Sequence, residues 1–423
     1  MRALSAITLT LMLAASPALA CTGGSVHLAG DFKTGDLGWG QVDANFKVAG
    51  PEASLMAQPG TQTARWDTAV TLADLDACVT VTMPAETAEP SRTYAGLLFW
   101  LTDRDNFYQA VMAPNGLFTL ARKVGGRLTA VAPIPWTKIG AIKLGPDAKN
   151  TLRVTIEGQT VTIRVNDTEV AHFRGQAPEG PAHIGLVAAS GLGATDTWRL
   201  SDLKVTNVAA VEGGEGPAKS EEISTGAVAP NSACPDGKVL FADGFASHDP
   251  TWGPKDARLK IGKGEAVLSP VPGTRTFRWN RVFVFDDIDA CATVRLAKPT
   301  TDSTTSYAGL MFWVEDNRNY YQAVLAANGY FTVARVTDGV VEAKRPVDWV
   351  KLANAKTGAK ESNTLRVTTK GDHVTIAVNG QEVANFTGKS PQTPSYIGML
   401  AASAPSKRGD DWSITDFRVV EPQ

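Results

Sequence analysis

Hydrophobic and polar residues alternate with a period of two along most of the chain. In "TLRVTIEGQTVTIRVN" (151–166), Leu152, Val154 and Ile156 alternate with Thr151, Arg153 and Thr155, and the alternation resumes after Gly158 through Val161, Ile163 and Val165. Successive side chains of a strand point to opposite faces, so the pattern predicts a hairpin with one buried and one solvated face. "TLRVTTKGDHVTIAVNG" (364–380) predicts the same, turning at Gly371-Asp372. "YAGLLFWL" (94–101) and "YAGLMFWV" (307–314) are apolar on both faces and suit central strands covered on both sides. "NFYQAVMAPNGLFTLAR" (106–122) predicts a further hairpin, with Gly116 in the left-handed position of a short loop. After the first twenty residues there is no amphipathic run of helical period, so the predicted fold class is all-β.

The last of these hairpins is written twice. "NYYQAVLAANGYFTVAR" (319–335) stands 213 residues further on, and at the same offset Trp39, Trp66, Trp100 and Trp136 match Trp252, Trp279, Trp313 and Trp349. Trp198 matches Trp412 after a one-residue insertion, so all 10 tryptophans fall into pairs. Units of this length are duplicated domains rather than solenoid repeats. The predicted organisation is a β-sandwich over 21–207, a linker over 208–233 that is rich in Gly, Ala, Ser and Glu, and a second β-sandwich over 234–423. Such a linker is expected to be flexible, and sandwiches of this size suit a jelly roll better than an immunoglobulin-type fold.

Composition adds the compartment. "MRALSAITLTLMLAASPALA" has a basic start at Arg2, an apolar stretch from Ala6 to Ala15 and an Ala18-Leu19-Ala20 cleavage pattern. It is too short for a membrane span and predicts a bacterial secretory signal cleaved after Ala20, hence a periplasmic or secreted protein. The four cysteines fall into two pairs of equal spacing, Cys21 with Cys78 and Cys234 with Cys291, 57 residues apart in each case. In an exported chain this predicts one disulfide per unit. Lipidation of Cys21 is the competing reading, but "ALAC" departs from a lipobox at Ala18, and Cys234 repeats the position where no lipid can be attached. With 41 basic and 43 acidic residues interspersed, the chain lacks the basic face that a nucleic-acid partner requires.

Several motifs then follow in a familiar order. "AGDF" (29–32) or "FADGF" (241–245) opens each unit, followed by "GLLFWLTDRDNFYQAV", an Asn-Gly hairpin, "NTLRVTIEG", "VTIRVN", "HIGLVAAS" and "WRLSDLKV". This order resembles the concanavalin A-like lectin/glucanase superfamily, and within it the laminin-G-like and 3-keto-disaccharide hydrolase-type domains, in tandem. The resemblance implies two concanavalin A-like jelly-roll sandwiches, a fold that hosts lectins, hydrolases, adhesion modules and spacers. It also implies where catalytic groups would be sought. Family-16 glucanases carry an E-x-D-x-x-E strand that sets acid and nucleophile on one face, and no E-x-D occurs here. The 3-keto-disaccharide branch would use acidic or His metal ligands, whereas His27, His172, His183, His248 and His373 have no counterparts between copies. No catalytic residue is therefore assigned.

Both copies keep Arg65/Arg278, Asp103/Asp316, Asn106/Asn319, Gln109/Gln322 and Arg122/Arg335. If Leu101 pairs with Phe107, and Ala113 with Leu117, then Trp100, Tyr108 and Arg122 project from one sheet face, as do Trp313, Tyr321 and Arg335. An aromatic platform beside a guanidinium is a candidate glycan-binding site; packing inside the core is the alternative. Asp74 and Asp76, like Asp287 and Asp289, precede the second cysteine of each pair, and alternate carboxylates are candidate calcium ligands. Otherwise no cofactor is required. The expected function is an exported, non-catalytic protein that binds glycan or a cell-envelope component. A hydrolase or lyase acting on a (keto-)disaccharide and a structural envelope protein are the alternatives.

Overall fold

The computed structural model describes residues 24–30, 32, 37–129, 132–208 and 233–423. The predicted signal, Cys21 and most of the predicted linker lie outside these residues. The alternating segments are strands, as their period requires. Lys149–Glu157 pairs with Thr160–Val165 with Glu157 opposite Thr160, and Ser362–Lys370 pairs with His373–Val378 with Lys370 opposite His373. Leu152, Val154, Ile156, Val161, Ile163 and Val165 are buried, while Arg153 and Thr155 are half-exposed.

The strands form two sandwiches, each of an eight-stranded and a seven-stranded antiparallel sheet. In the first, the eight-stranded sheet runs Thr168–Arg174, Thr160–Val165, Lys149–Glu157, Leu75–Thr82, Thr197–Thr206, Glu52–Met56 and Phe46–Ala49, with Val26–Gly30 also pairing with Thr197–Thr206. The seven-stranded sheet runs Ile134–Lys138, Leu117–Val124, Asn106–Met112, Tyr94–Asp103, His183–Ala189 and Gln62–Trp66, with Arg127–Leu128 pairing with Leu117–Val124. The second sandwich repeats this strand order. Among the described residues the only helical turns are two short 3-10 segments, Leu37–Trp39 and Pro250–Trp252. The fold is thus nearly all β, two tandem jelly-roll sandwiches. No helix among the described residues is long and apolar enough to cross a membrane.

Each core fills the space between its two sheets. Leu97, Phe99, Met112, Phe118 and Leu120 pack towards Val79, Val81, Leu152 and Val154, all buried. Trp198 and Trp412 are tied into these cores by their indole N–H groups, and Trp198 Nε1 is shared with the Ala189 carbonyl at 3.3 Å. Trp198 Nε1 donates to Thr93 Oγ1 at 3.1 Å and Trp412 Nε1 to Ser306 Oγ at 3.2 Å, so neither indole N–H is left unpaired. Cys234 and Cys291 form a disulfide as expected. Cys78 is disulfide-bonded as well, and its expected partner Cys21 lies outside the described residues.

The sandwiches also touch. Arg174, buried at the end of its strand in the first, lays its guanidinium 5.0 Å from the ring centre of Phe241 and 4.0 Å from the carboxylate of Asp243 in the second. The Gln176 amide pairs with one residue of the second sandwich like a strand edge. Its Oε1 accepts from Val284 N and its Nε2 donates to Val284 O, both at 3.1 Å. Arg122 Nη1 donates to Gln176 Oε1 at 2.6 Å and to the Val282 carbonyl. These contacts join the two sandwiches through buried and half-buried polar groups, which is a different arrangement from modules coupled only through a linker.

Candidate functional site

The predicted aromatic–guanidinium trios form, but inside the core. Trp100 and Tyr108 meet edge to face at 5.2 Å, with Arg122 5.1 Å above the Tyr108 ring. Trp313, Tyr321 and Arg335 repeat this at 5.2 and 5.7 Å. All four aromatic rings are buried. An open platform is therefore not what they make, and the reason is local. Ala113 N bonds to Leu117 O as the predicted register requires, but Tyr108 lies opposite Phe99, not Trp100. A bulge at Trp100, whose φ is +46°, turns the indole from the outer face to the core; Trp313 does the same at +48°. The two indoles then pack against glycines. A Cβ on Gly175 or Gly388 would come within 2.2 or 2.4 Å of them. Arg122 and Arg335, half-buried, differ in partner: the first bonds Gln176 and the second salt-bridges Glu342 at 3.0 Å.

The aspartates proposed as calcium ligands have other partners. Asp76 takes a two-pronged bond from Arg153 at 2.7 and 2.6 Å, and Asp289 the equivalent from Arg366. Asp74 accepts from Gly158 N at 2.7 Å and Asp287 from Gly371 N at 2.8 Å, which closes the hairpin turns onto the neighbouring strand. Among the described residues no group of three or more His, Cys, Asp or Glu side chains comes together as a metal site. Of the other retained pairs, Arg65 and Arg278 bridge to Asp43 and Asp256 at 2.5 Å. Asn106 and Asn319 bond Asp103 and Asp316 within their tight turns.

The polar residues that do converge on one open surface lie on the outer face of the second seven-stranded sheet. Along Tyr307–Val314, Ala308, Leu310 and Phe312 enter the core, so Tyr307 and Met311 face outward. Arg275 and Tyr307 both lie opposite Ala402, which sets them in one row across three strands. One strand on, Gln322 lies opposite Met311. A pocket of about 510 Å³ opens here, lined chiefly by Arg275, Tyr307, Gln322, Arg345, Trp349 and Ser403. Trp349 is 37% exposed and packs 6.0 Å from Tyr307, with the Arg345 guanidinium 5.7 Å from its ring centre. Arg345 is held further by donating to Thr332 Oγ1 at 3.3 Å, whose own hydroxyl donates to Val347 O at 2.7 Å. Gln322 is 3% exposed and its Oε1 has no hydrogen-bond partner. Burial pushes the Tyr307 phenol up, against the pull of Arg275 and Arg345, so it remains a hydroxyl donor at neutral pH.

The lining combines aromatic, amide, hydroxyl and guanidinium groups. It offers an aromatic wall, an unpaired amide oxygen, a phenol, hydroxyls and two guanidinium groups, and contains no carboxylate or imidazole. Part of it was visible beforehand. Gln322 is a polar residue in the apolar run "YYQAVLA", and Trp349 recurs as Trp136. Arg275 and Arg345 gave no signal, because one lies on the strand Arg275–Trp279 and the other in the loop before Val347–Lys351, segments that meet only in the folded sheet.

No curated protein matches the chain. Among solved structures, the chain is similar to a carbohydrate binding module from Bacillus subtilis, at 12% identity over 37% of this chain and 86% of that one, with a TM-score of 0.29. It is similar to a Bacillus licheniformis beta-glucanase at 14% identity, over 44% and 99% of the two chains, with a TM-score of 0.34. A Thermotoga petrophila endo-1,3-beta-glucanase catalytic domain is 11% identical over 44% and 99%, with a TM-score of 0.35. Residues 233–408 match the family model described as a 3-keto-alpha-glucoside-1,2-lyase-like domain, in agreement with the resemblance carried by the motif order of each unit.

Proposed function

We propose that the chain is an exported, non-catalytic glycan-binding protein, with sandwiches over 21–207 and 234–423 joined by the segment 208–233, and that the outer pocket of the second sandwich is its binding site. The observation that carries this reading is Gln322. A buried amide oxygen without a donor costs about 1–3 kcal/mol, and a sugar hydroxyl entering the pocket supplies that donor. Trp349 beside it offers the ring against which the C–H face of a sugar packs. The lining holds no pair of carboxyl groups for acid and nucleophile, as glycoside hydrolysis ordinarily requires. Export follows from the signal pattern of residues 1–20 and agrees with the Cys234–Cys291 disulfide, a bond that persists in oxidising compartments.

The test is a glycan array probed with the full chain and with Trp349→Ala and Gln322→Ala, in calcium and in chelator. Specific binding by the parent, weakened in both variants and indifferent to chelator, is the expected result. Binding unaffected by either substitution would move the site elsewhere. The family match of residues 233–408 favours one second reading, a lyase or hydrolase acting on a 3-keto-glucoside. Chromatographic detection of product after incubation with a 3-keto-α-glucoside would establish that reading instead.

A further inference from the structure

We infer that the pocket of the second sandwich selects acidic saccharides, with Arg275 and Arg345 receiving the carboxylate of a uronate residue. The inference rests on the glycan-binding reading and adds the charge class of the ligand.

Three observations carry it. Arg275 and Arg345 are the only charged side chains in the lining, and both are cations. Among the described residues neither makes an ion pair, although at least four of the six other half-buried arginines of the same sandwich do: Arg278 with Asp256, Arg295 with Glu265, Arg335 with Glu342 and Arg366 with Asp289. The nearby Asp302 is bonded to the Thr304 and Thr305 hydroxyls, at 2.5 and 3.0 Å. Two cations without a protein anion form a local positive field in a chain whose net charge is −2, and such a field favours an anionic ligand. The planar guanidinium fork matches a carboxylate, and Arg345 is already fixed by Thr332 and Trp349, so little side-chain freedom is lost on binding.

The third observation is the first sandwich, where the same surface is built without the charges. Tyr94, Gln109 and Trp136 stand in place of Tyr307, Gln322 and Trp349, and Gln109 Oε1 is again buried without a partner. The two arginines are replaced by Gln62 and Ala132. Gln62 accepts a hydrogen bond from the Tyr94 hydroxyl at 2.9 Å, an uncharged pairing. The aromatic and amide frame is common to both copies, and the cation pair belongs to the second alone.

The experiment is titration calorimetry of the full chain with galacturonate, glucuronate and mannuronate oligosaccharides and with their carboxyl-reduced, neutral counterparts. At least one acid is expected to bind about tenfold or more tightly than its reduced counterpart, as a charge-assisted contact implies, and this preference should shrink as salt rises. Arg275→Gln and Arg345→Ala, which restore the residues of the first copy, should abolish the preference. The transplant Gln62→Arg with Ala132→Arg should add a second acid-binding site, a gain that misfolding cannot mimic. Equal binding of acids and reduced sugars, or binding of the reduced sugars only, would overturn the charge selection and leave glycan binding standing. Failure of every saccharide, acidic or neutral, would remove both.

Discussion

The two sandwiches share a frame and differ at their surfaces. Trp198 and Trp412 bond Thr93 and Ser306, Arg153 and Arg366 bond Asp76 and Asp289, and Trp100 and Trp313 lie on Gly175 and Gly388. Each of these serves burial within one sandwich and is present twice. Several of the residues that reach outward are present once. Arg174 and Gln176 dock into the second sandwich, whereas Thr387 and Lys389 occupy the same positions in the second copy. Arg275 and Arg345 charge the second pocket, against Gln62 and Ala132 in the first. Core positions are held by packing constraints that both copies obey. Surface positions were free to take separate tasks, docking in one unit and an open charged pocket in the other.

The largest expected effect tests the shared frame. Trp198→Ala and Trp412→Ala should each destabilise by about 3–5 kcal/mol, since each empties a fully packed site and leaves a Thr or Ser hydroxyl without its indole donor. Denaturant unfolding followed by fluorescence measures this, and a large cost in only one sandwich would break the equivalence of the two cores.

A smaller effect sharpens the difference. Arg174→Ala removes the cation facing buried Asp243 and should cost about 3 kcal/mol, while Thr387→Ala should change stability by less than about 0.5 kcal/mol. Calorimetry of the Arg174 variant should resolve the two sandwiches into separate transitions. Equal effects at the two positions would mean that Arg174 does not hold the interface.

The smallest effect is a pH dependence carried by the same junction. Burial pushes the Asp243 carboxyl up to about 6, against the pull of Trp252 Nε1, Phe245 N and Arg174. Its folded pKa exceeds its unfolded one, so the folded state binds more protons between about pH 4 and 6 and stability falls as pH rises through that window. Lowering the pH from 7 to 5 should therefore gain about 1 kcal/mol from this group. Asp243→Asn should remove that gain relative to the parent. A variant with the unchanged pH slope would show that Asp243 is ionised without cost.

Much of the architecture was legible in the residues alone. Period-two alternation named the strands, the 213-residue offset named the duplication, and equal cysteine spacing named the Cys234–Cys291 bond, because each is a local or arithmetic property of the chain. The register of Tyr94–Asp103 against Asn106–Met112 was only half legible. Its hairpin end at Ala113 and Leu117 followed the turn residues, but the left-handed bulge at Trp100 shifted the other end by one and carried the indole inward. No sequence signal marks that bulge, since the φ is sustained by Gly175, 75 positions away and adjacent only in the fold. The same holds for the pocket. Strand patterning determined that Tyr307 and Gln322 face away from the core, because the alternation of their neighbours settles it. Whether that outward face holds an open pocket with two unpaired cations was decided by which strand edges meet there. Arg275 lies on Arg275–Trp279, whereas Arg345 lies in the loop just before Val347–Lys351, the strand that carries Trp349, and only the folded sheet brings the first beside the other two.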